Sequence, residues 1–309
     1  MNKREYIQRA IDANAFIYNA GFNAEAATIN PTIWDRQLRE YEEKALVITQ
    51  FAEVFDFRGA GADYTVTIDE RPTAAGALTE TTDVAIKAFG TRQITFTPSE
   101  QGDAYQLTRA EAVRAFFNVA ERMTKKLAYS MAERKDSLAL TELYANAGNA
   151  IFANSKTAAT NLASTDTLNL VDISRAIYEN RKDLYRSEVL IINPALEHQL
   201  RTQTSLITLA DASQFGTRQT IANGVVGEVL GLKVVVSDLI TKSGNVTKAL
   251  VLGTSRTGEK SFGYAIKRDP MIEQEYHALG RRWDIVGHEE YDFAVMHPDA
   301  ICTLSVYEA

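Results

Sequence analysis

The sequence contains one cysteine, Cys302, among 309 residues. A single cysteine allows no intramolecular disulfide and no cysteine-based zinc cluster within one chain. Long apolar runs are also missing, since no run approaches the ~20 residues of a transmembrane helix. The first residues, MNKREYIQRAIDANAF, lack the apolar core of a secretory signal. We therefore expect a soluble protein that is made in a reducing cytoplasm and has no membrane partner.

An excess of positive charge is missing as well. The chain has 33 Lys and Arg against 40 Asp and Glu, which gives a formal net charge of −7. Dedicated nucleic-acid-binding proteins usually present a basic face, so this balance argues against that class. A net negative charge is compatible with a protein that coexists with DNA without binding it tightly. The content of 45% hydrophobic and 24% charged residues is that of a globular protein with a sizeable core.

Residues 253–261, GTSRTGEKS, resemble a phosphate-binding loop but depart from it by one residue. In that motif Lys follows the second glycine directly, and a helix N-terminus holds the phosphates. Here Glu259 precedes Lys260, and residues 261–266 alternate like a strand. We predict a hairpin loop between two strands, with Arg256, Glu259 and Lys260 facing solvent or a neighbouring subunit. A nucleotide-using enzyme built on 248–261 is the competing class.

Motifs of metal and hydrolase sites are incomplete too. His288-Glu289 opens a zinc-protease pattern, but Asp292 stands where the second histidine belongs, and the four histidines are scattered. No Gly-x-Ser-x-Gly elbow and no Gly-x-Gly-x-x-Gly fingerprint occurs. We expect Glu289, Glu290 and Asp292 to form a solvated or interface edge. We predict no catalytic residue, no metal site, no cofactor and no enzymatic activity.

The most basic short stretch is Arg281-Arg282, directly before Trp283. A guanidinium beside an aromatic ring can stack on a base or contact a phosphate. Two arginines in an acidic chain support that interpretation only weakly. We favour an inter-subunit salt bridge made by Arg281 and Arg282 on a turn.

Residues 59–98 predict an arm without a core of its own. Strands are predicted at 64–68 and 92–96, and the residues between them are rich in Thr, Ala and Gly. An arm of about forty residues without a core is uncommon in a compact domain. It is either disordered or ordered by lying on something else, plausibly a neighbouring subunit.

Regular elements follow the arm. Thr108 and Glu111 form a capping box, which predicts the start of a helix. Because no Pro or Gly occurs from there to Gly148, we predict one helix of nearly forty residues, on the order of 55 Å long. We interpret it as the spine of an extended domain. Further predicted elements are a helix at about 170–184, a strand at 187–192, a helix from 195 to about 201 that Asn193-Pro194 caps, strands at 231–236 and 248–252, and mostly strands after Ser261.

This order of elements resembles the major capsid proteins of tailed bacteriophages, whose α+β fold is the Hong Kong 97-like capsid fold that encapsulin shells share. The stretches SEVLIINPALEHQL, VVGEVLGLKVVVSD and FAVMHPDAICTLSV carry most of the likeness, which extends from about residue 30 to the end. The resemblance implies an N-terminal arm and first helix at 1–58, an extended β-hairpin loop (E-loop) at 59–98, a peripheral domain with the spine helix at 99–185, an α/β axial domain at 186–262, and a return to the peripheral domain at 263–309.

The resemblance also implies sites and partners. In the extended loop, Glu70, Arg71, Thr79 and Lys87 would contact the adjacent subunit. Some family members crosslink a loop lysine to an asparagine, but Lys87 has no matching asparagine motif, so no crosslink is expected. Only about thirty residues precede the likeness, which implies a separate scaffolding protein or an already mature form.

The function implied is that of a major capsid protein, which self-assembles through hexamers and pentamers into the icosahedral head of a tailed double-stranded DNA virus. It would be located in the virion and assembled in the host cytoplasm. The implied partners are scaffolding, portal and decoration proteins and packaged DNA, bound without sequence specificity. The alternative is an encapsulin-type nanocompartment that encloses a cargo enzyme, and a nucleotide-binding enzyme using 253–261 ranks below it.

Overall fold

The computed structural model describes residues 47–58, 61–69, 90–114, 119–202 and 227–308. These residues form two compact units. The smaller unit contains the described residues of 104–126 and 273–286, and the larger contains those of 42–103, 127–272 and 287–309. No helix in the described ranges is long and apolar enough to cross a membrane.

Helices and strands both contribute, as an α+β fold requires. The helices are α1 (Arg109–Arg114), α2 (Val119–Ala145), α3 (Leu170–Lys182) and α4 (Pro194–Arg201). The strands are β1 (Glu53–Asp56), β2 (Tyr64–Asp69), β3 (Thr91–Phe96), β4 (Ser99–Thr108), β5 (Asn149–Phe152), β6 (Arg186–Ile192), β7 (Glu228–Val229), β8 (Leu232–Val236), β9 (Val246–Thr254), β10 (Phe262–His277), β11 (Arg282–Val295) and β12 (Ile301–Tyr307).

A six-stranded sheet in the order β5-β12-β9-β6-β8-β7 forms the body of the larger unit. Strand β6 runs antiparallel to β9 and parallel to β8. Its residues Leu190 and Ile192 pack in one apolar cluster with side chains of α3 and α4, while Val189 and Ile191 pack in a second cluster with side chains of α2. Successive residues of a strand point to opposite faces, so a strand buried on both faces reads as a continuous apolar run. That arrangement explains the apolar sequence of 189–192.

Two smaller sheets complete the fold. One has four strands in the order β1-β10-β11-β4, and the other pairs β2 with β3. Strands β2 and β3 are antiparallel, with Tyr64 opposite Phe96 and Asp69 opposite Thr91. They flank residues 70–89, so the strands predicted for the two ends of the arm are confirmed.

The predicted helix caps are confirmed. The Thr108 backbone N–H donates to Glu111 Oε2 at 2.9 Å, and the Glu111 N–H donates to Thr108 Oγ1 at 3.2 Å, which completes the capping box before α1. Asn193 Oδ1 accepts from the Leu196 N–H at 2.8 Å, with Pro194 in the first turn of α4. Helices α1 and α2 lie within the predicted spine helix. Residues 115–118, which would join α1 and α2 into one helix, are outside the described residues.

The six-stranded sheet takes its strands from three of the predicted segments. Strands β6 to β9 come from 186–262, whereas β5 comes from 99–185 and β12 from 263–309. Strand β12 pairs with β5 through Cys302 opposite Asn149, and with β9 through Ile301 opposite Leu252. The assignment of these segments to peripheral and axial domains stays a prediction.

Candidate functional site

The GTSRTGEKS stretch forms a turn, not a phosphate-binding loop. Strand β9 ends at Thr254 and β10 begins at Phe262, so no helix N-terminus follows the glycines. The Ser255 N–H donates to the Glu259 carbonyl at 2.8 Å, and Gly258 has a φ of 92°, a value that glycine adopts readily. The predicted hairpin needs one correction, because β9 belongs to the six-stranded sheet and β10 to the four-stranded sheet.

The charged residues of this turn contact their own chain. Lys260 Nζ donates to the Ala52 carbonyl at 2.7 Å, and Glu259 Oε2 lies 3.3 Å from His297 Nε2. Glu259 is exposed, as expected, with about half of its side chain accessible, whereas the Lys260 amine is held by its own chain and is only partly exposed. Contact of either residue with a neighbouring subunit stays a prediction. Arg256 is exposed, as expected. The Lys260 amine is thus bound to backbone and not directed at a phosphate position.

The carboxylates of β11 do not form a solvated edge, which corrects the sequence prediction. Strand alternation directs Glu289 to the same buried face as Tyr291 and Phe293, and only 2% of Glu289 is exposed. Lys135 of α2 pairs with it, with 2.8 Å between Nζ and Oε2. An alternating segment does not reveal which face is buried, or that a lysine distant in sequence will neutralise the carboxylate.

We call Lys135, Glu289, Tyr264 and Tyr291 the Lys135 cluster. The Lys135 ammonium lies 5.5 Å from the Tyr264 ring centroid and 5.4 Å from that of Tyr291. Burial acts to lower the pKa of Lys135, but the hydrogen bond to Glu289 and the nearby charges outweigh it and raise that pKa. Burial also raises the pKa of both tyrosines. At neutral pH the cluster is a charged pair between neutral rings, an arrangement that suits structural stabilisation.

The histidines do not assemble a metal site in the described part of the chain. His297 is buried between the Tyr185 hydroxyl, 3.4 Å from Nδ1, and Glu259, near Nε2. Across the ranges that the structure describes, no group of three or more His, Cys, Asp or Glu side chains is arranged to hold a metal ion. Cys302 is buried in β12, and burial raises the pKa of its thiol to about 12, so it is a poor nucleophile at neutral pH.

Two carboxylates near the four-stranded sheet carry unfavourable charge at neutral pH. Burial raises the pKa of Glu142, with a further contribution from the charge of Asp292, and burial raises the pKa of Asp292 itself. Asp292 Oδ2 accepts a hydrogen bond of 2.8 Å from the Thr97 N–H, and an asparagine oxygen can replace it. A carboxyl whose pKa is higher in the folded state destabilises the fold when it ionises, so the cost appears as pH rises through the raised pKa.

We therefore expect Asp292→Asn to raise the urea midpoint of unfolding at pH 7.5, with the gain fading as the pH falls below the raised pKa. Urea titrations of both proteins at several pH values measure this difference. Asp269→Asn is the control, because Asp269 is exposed and pairs with Arg58 at 2.9 Å, so its replacement should give no gain. A loss of stability at pH 7.5 in the Asp292 variant would contradict the expectation.

Two arginines were predicted to form an inter-subunit salt bridge. Arg281 lies between β10 and β11, and Arg282 begins β11. Arg281 has a φ of 51°, and its carbonyl accepts from the Arg109 N–H at 2.9 Å. Arg282 Nε lies 3.3 Å from Asp284 Oδ1 within the same chain. Their contact with another subunit stays a prediction.

The base of the extended loop is an aromatic cluster in the larger unit. Phe55 of β1 lies 5.9 Å from Tyr64 of β2 and 5.6 Å from Phe96 of β3, measured between ring centroids. Ile94 and Val66 pack against the same cluster. The four predicted contact residues, Glu70, Arg71, Thr79 and Lys87, lie outside the described residues. The structure thus anchors both ends of the loop to a packed core.

Comparison with known proteins decides what this fold is used for. The sequence model of the family described as "Phage capsid protein" matches residues 91–304. The chain belongs to the phage capsid protein family. The resemblance drawn from the order of its elements is thereby confirmed. No curated protein matches the sequence.

Solved capsid structures share the fold at low sequence identity. The structure titled "Mycobacterium phage Che8" has a TM-score of 0.69 at 17% identity, covering 89% of this chain and 96% of that one. The capsid of cyanophage P-SCSP1u gives 0.69 at 15%, covering 90% and 93%. The capsid of Helicobacter pylori bacteriophage KHP30 gives 0.71 at 12%, covering 94% and 100%. The predicted Hong Kong 97-like α+β fold is confirmed.

Family and fold together identify a structural protein of the virion, the major capsid protein of a phage head shell. The encapsulin alternative has no better support. The nucleotide hypothesis loses its structural basis, since neither the helix nor the free lysine that it requires is found at 253–261.

Proposed function

We propose that copies of this chain assemble through hexamers and pentamers into the icosahedral head of a tailed double-stranded DNA virus, and that assembly takes place in the host cytoplasm. The family match over residues 91–304 is the observation that carries this proposal. Residues 186–262, which supply β6 to β9, form the axial domain, and the extended loop at 59–98 lies on the adjacent subunit.

The charge of the chain fits a container for DNA. A net charge of −7 disfavours tight binding of the duplex, and we expect packaged DNA to contact the shell without sequence specificity. Separate scaffolding, portal and decoration proteins are the further partners, and the shell subunit itself performs no catalysis.

Electron microscopy of the purified protein tests the proposal. We expect closed shells or capsomers, at least after the scaffolding partner is supplied. A stable monomer under all conditions would count against it. Small DNA-free shells that co-purify with a cargo enzyme would instead favour a nanocompartment.

A further inference from the structure

A surface pocket of about 580 Å³ beside the GTSRTGEKS turn has three arginines in its wall. Arg181 lies in the last turn of α3, Arg186 begins β6, and Arg256 lies in the turn between β9 and β10. We call it the arginine pocket. Its other lining residues are Leu184, Tyr185, Glu188, Thr254, Ser255 and Gly258.

Backbone geometry brings the three arginines together. The chain reverses after α3, where the Leu184 N–H donates to the Arg181 carbonyl at 2.9 Å and Leu184 has a φ of 71°. Strand β6 therefore starts close to the end of α3. Arg186 pairs with Thr254 of β9, which places Arg256 only two residues beyond that pairing. Two strand ends and a helix end thus fix the positions from which the guanidinium groups extend.

The described part of the chain does not balance the charge of the pocket. All three arginines are exposed, and among the described residues none of them makes an ion pair, whereas Glu188 is the pocket's one carboxylate. Other exposed arginines have intrachain partners, such as Arg58 with Asp269 and Arg201 with Glu197. Acids outnumber bases in the chain by 40 to 33, so three convergent arginines without a partner stand out. Among the described residues, no carboxylate pairs with them, so the pocket is available to an anionic group of another molecule.

We propose that the arginine pocket binds carboxylate side chains of a neighbouring copy of this chain in the shell. The inference rests on the proposed function. Guanidinium groups bind carboxylates and phosphates through paired hydrogen bonds, so an oxyanion is the matching ligand. Every copy brings a surplus of seven acidic residues, from 40 minus 33, so assembly supplies carboxylates in excess.

A carboxylate fits the observations better than a DNA phosphate does. A duplex carries about one negative charge per 1.7 Å of its axis, so a chain of net charge −7 repels it far more strongly than it repels a second copy, whose seven excess charges are spread over 309 residues. Glu188 in the wall also leaves the pocket with a net charge of about +2, from three arginines minus one glutamate, which one or two carboxylates would neutralise. The contact is weak for one subunit but repeats at every subunit of a shell.

The test compares two triple variants of equal charge. Arg181→Gln/Arg186→Gln/Arg256→Gln removes the pocket's charge, while Arg58→Gln/Arg201→Gln/Arg268→Gln removes three arginines that have intrachain partners. Sedimentation gives the critical concentration for shell formation over a range of NaCl concentrations. We expect the pocket variant to raise it tenfold or more and to reduce its salt dependence, and the control variant to change it less than twofold. Circular dichroism checks that each protomer is folded.

Each outcome decides the inference. Equal effects of the two variants would assign the result to net charge and overturn it, as would wild-type assembly by the pocket variant. If the pocket variant forms shells normally but no longer retards linear duplex DNA on a gel, the ligand is phosphate and the carboxylate proposal fails. Wild-type protein that stays monomeric under all conditions, including with the scaffolding partner supplied, would refute the proposed function itself. If the triple variant does not fold, Arg256→Gln alone should raise the critical concentration about threefold, and no rise would overturn the inference.

Discussion

Replacing residues 70–90 with an Asn-Gly turn is expected to abolish shell formation while leaving a folded protomer. Asp69 of β2 lies opposite Thr91 of β3, so a two-residue turn closes the strand pair without changing its register. Asn-Gly is suited to the tight turns that join antiparallel strands. The deletion thus removes the arm and keeps its base.

The physical reason lies in what the arm lacks. Its sequence, from Glu70 to Gly90, has few large apolar residues and cannot bury a core of its own. At its base, Phe55, Tyr64 and Phe96 pack on one another, and the deletion leaves all three in place. We therefore expect the protomer to lose little stability and the shell to lose the surface that, on our proposal, each arm buries on its neighbour.

Sedimentation and electron microscopy measure assembly, and circular dichroism measures the fold of the protomer. A Gly/Ser loop of the original length at 70–90 is the matched control, because it restores chain length without the side chains and should also fail to assemble. Normal shells from the deletion variant would refute the assignment of this arm to an inter-subunit contact. Shells from the Gly/Ser variant alone would mean that length, not side-chain contact, is what assembly needs.

Local signals in the sequence predicted local structure well. The capping box at Thr108 and Glu111, the Asn193-Pro194 cap and the apolar strand after Arg186 depend on residues within one or two turns of each other, and each is confirmed. The fold class followed from the order of such elements. What the sequence could not supply is pairing across long separations, such as Cys302 of β12 with Asn149 of β5. The turn at 255–261 was predicted as a hairpin for the same reason, because the sequence does not show that β9 and β10 belong to different sheets.

The same limit applies to charged groups. Arg281 and Arg282 are adjacent in sequence and so suggest a basic patch, yet Arg282 has an intrachain partner in Asp284. The arginine pocket combines residues from a helix end, a strand start and a turn, and no spacing rule connects them. For Glu289 the sequence predicted exposure, whereas the structure shows a buried carboxylate. Only the position of α2, which supplies Lys135, shows that this carboxylate is neutralised. Strand pairing and helix packing, which determine these neighbours, are not local properties.

The largest effect on stability is expected for Lys135→Met, which should lower the free energy of unfolding of the protomer by about 3–5 kcal/mol. The substitution leaves Glu289 buried without its cation, and Glu289 Oε1 already has no hydrogen-bond donor among the described residues. An unpaired buried carboxylate loses its hydration without compensation. The two rings that flank the ammonium also lose their cation contact.

Urea unfolding of dissociated protomers at neutral pH measures the difference. Lys125→Met is the control, because Lys125 is exposed and its pair with Glu121, at 3.4 Å, joins two solvated side chains. Such a pair on a helix surface contributes only a few tenths of a kcal/mol. The wild-type advantage over Lys135→Met should persist at neutral pH and decline as the pH rises through the raised pKa of Lys135.

A double variant, Lys135→Met with Glu289→Met, separates the two explanations for such a loss. If the penalty comes from the stranded carboxylate, removing it with an apolar side chain of similar volume should recover most of the stability, since buried ion pairs replaced by apolar groups are often neutral or stabilising. If the penalty comes from lost packing around Lys135, the double variant should be at least as unstable as the single one. Recovery would show that the Lys135 cluster neutralises one buried charge and is not an independent source of stability. A loss below about 1 kcal/mol in the single variant would instead mean that no unpaired buried carboxylate is left behind, which would refute this explanation.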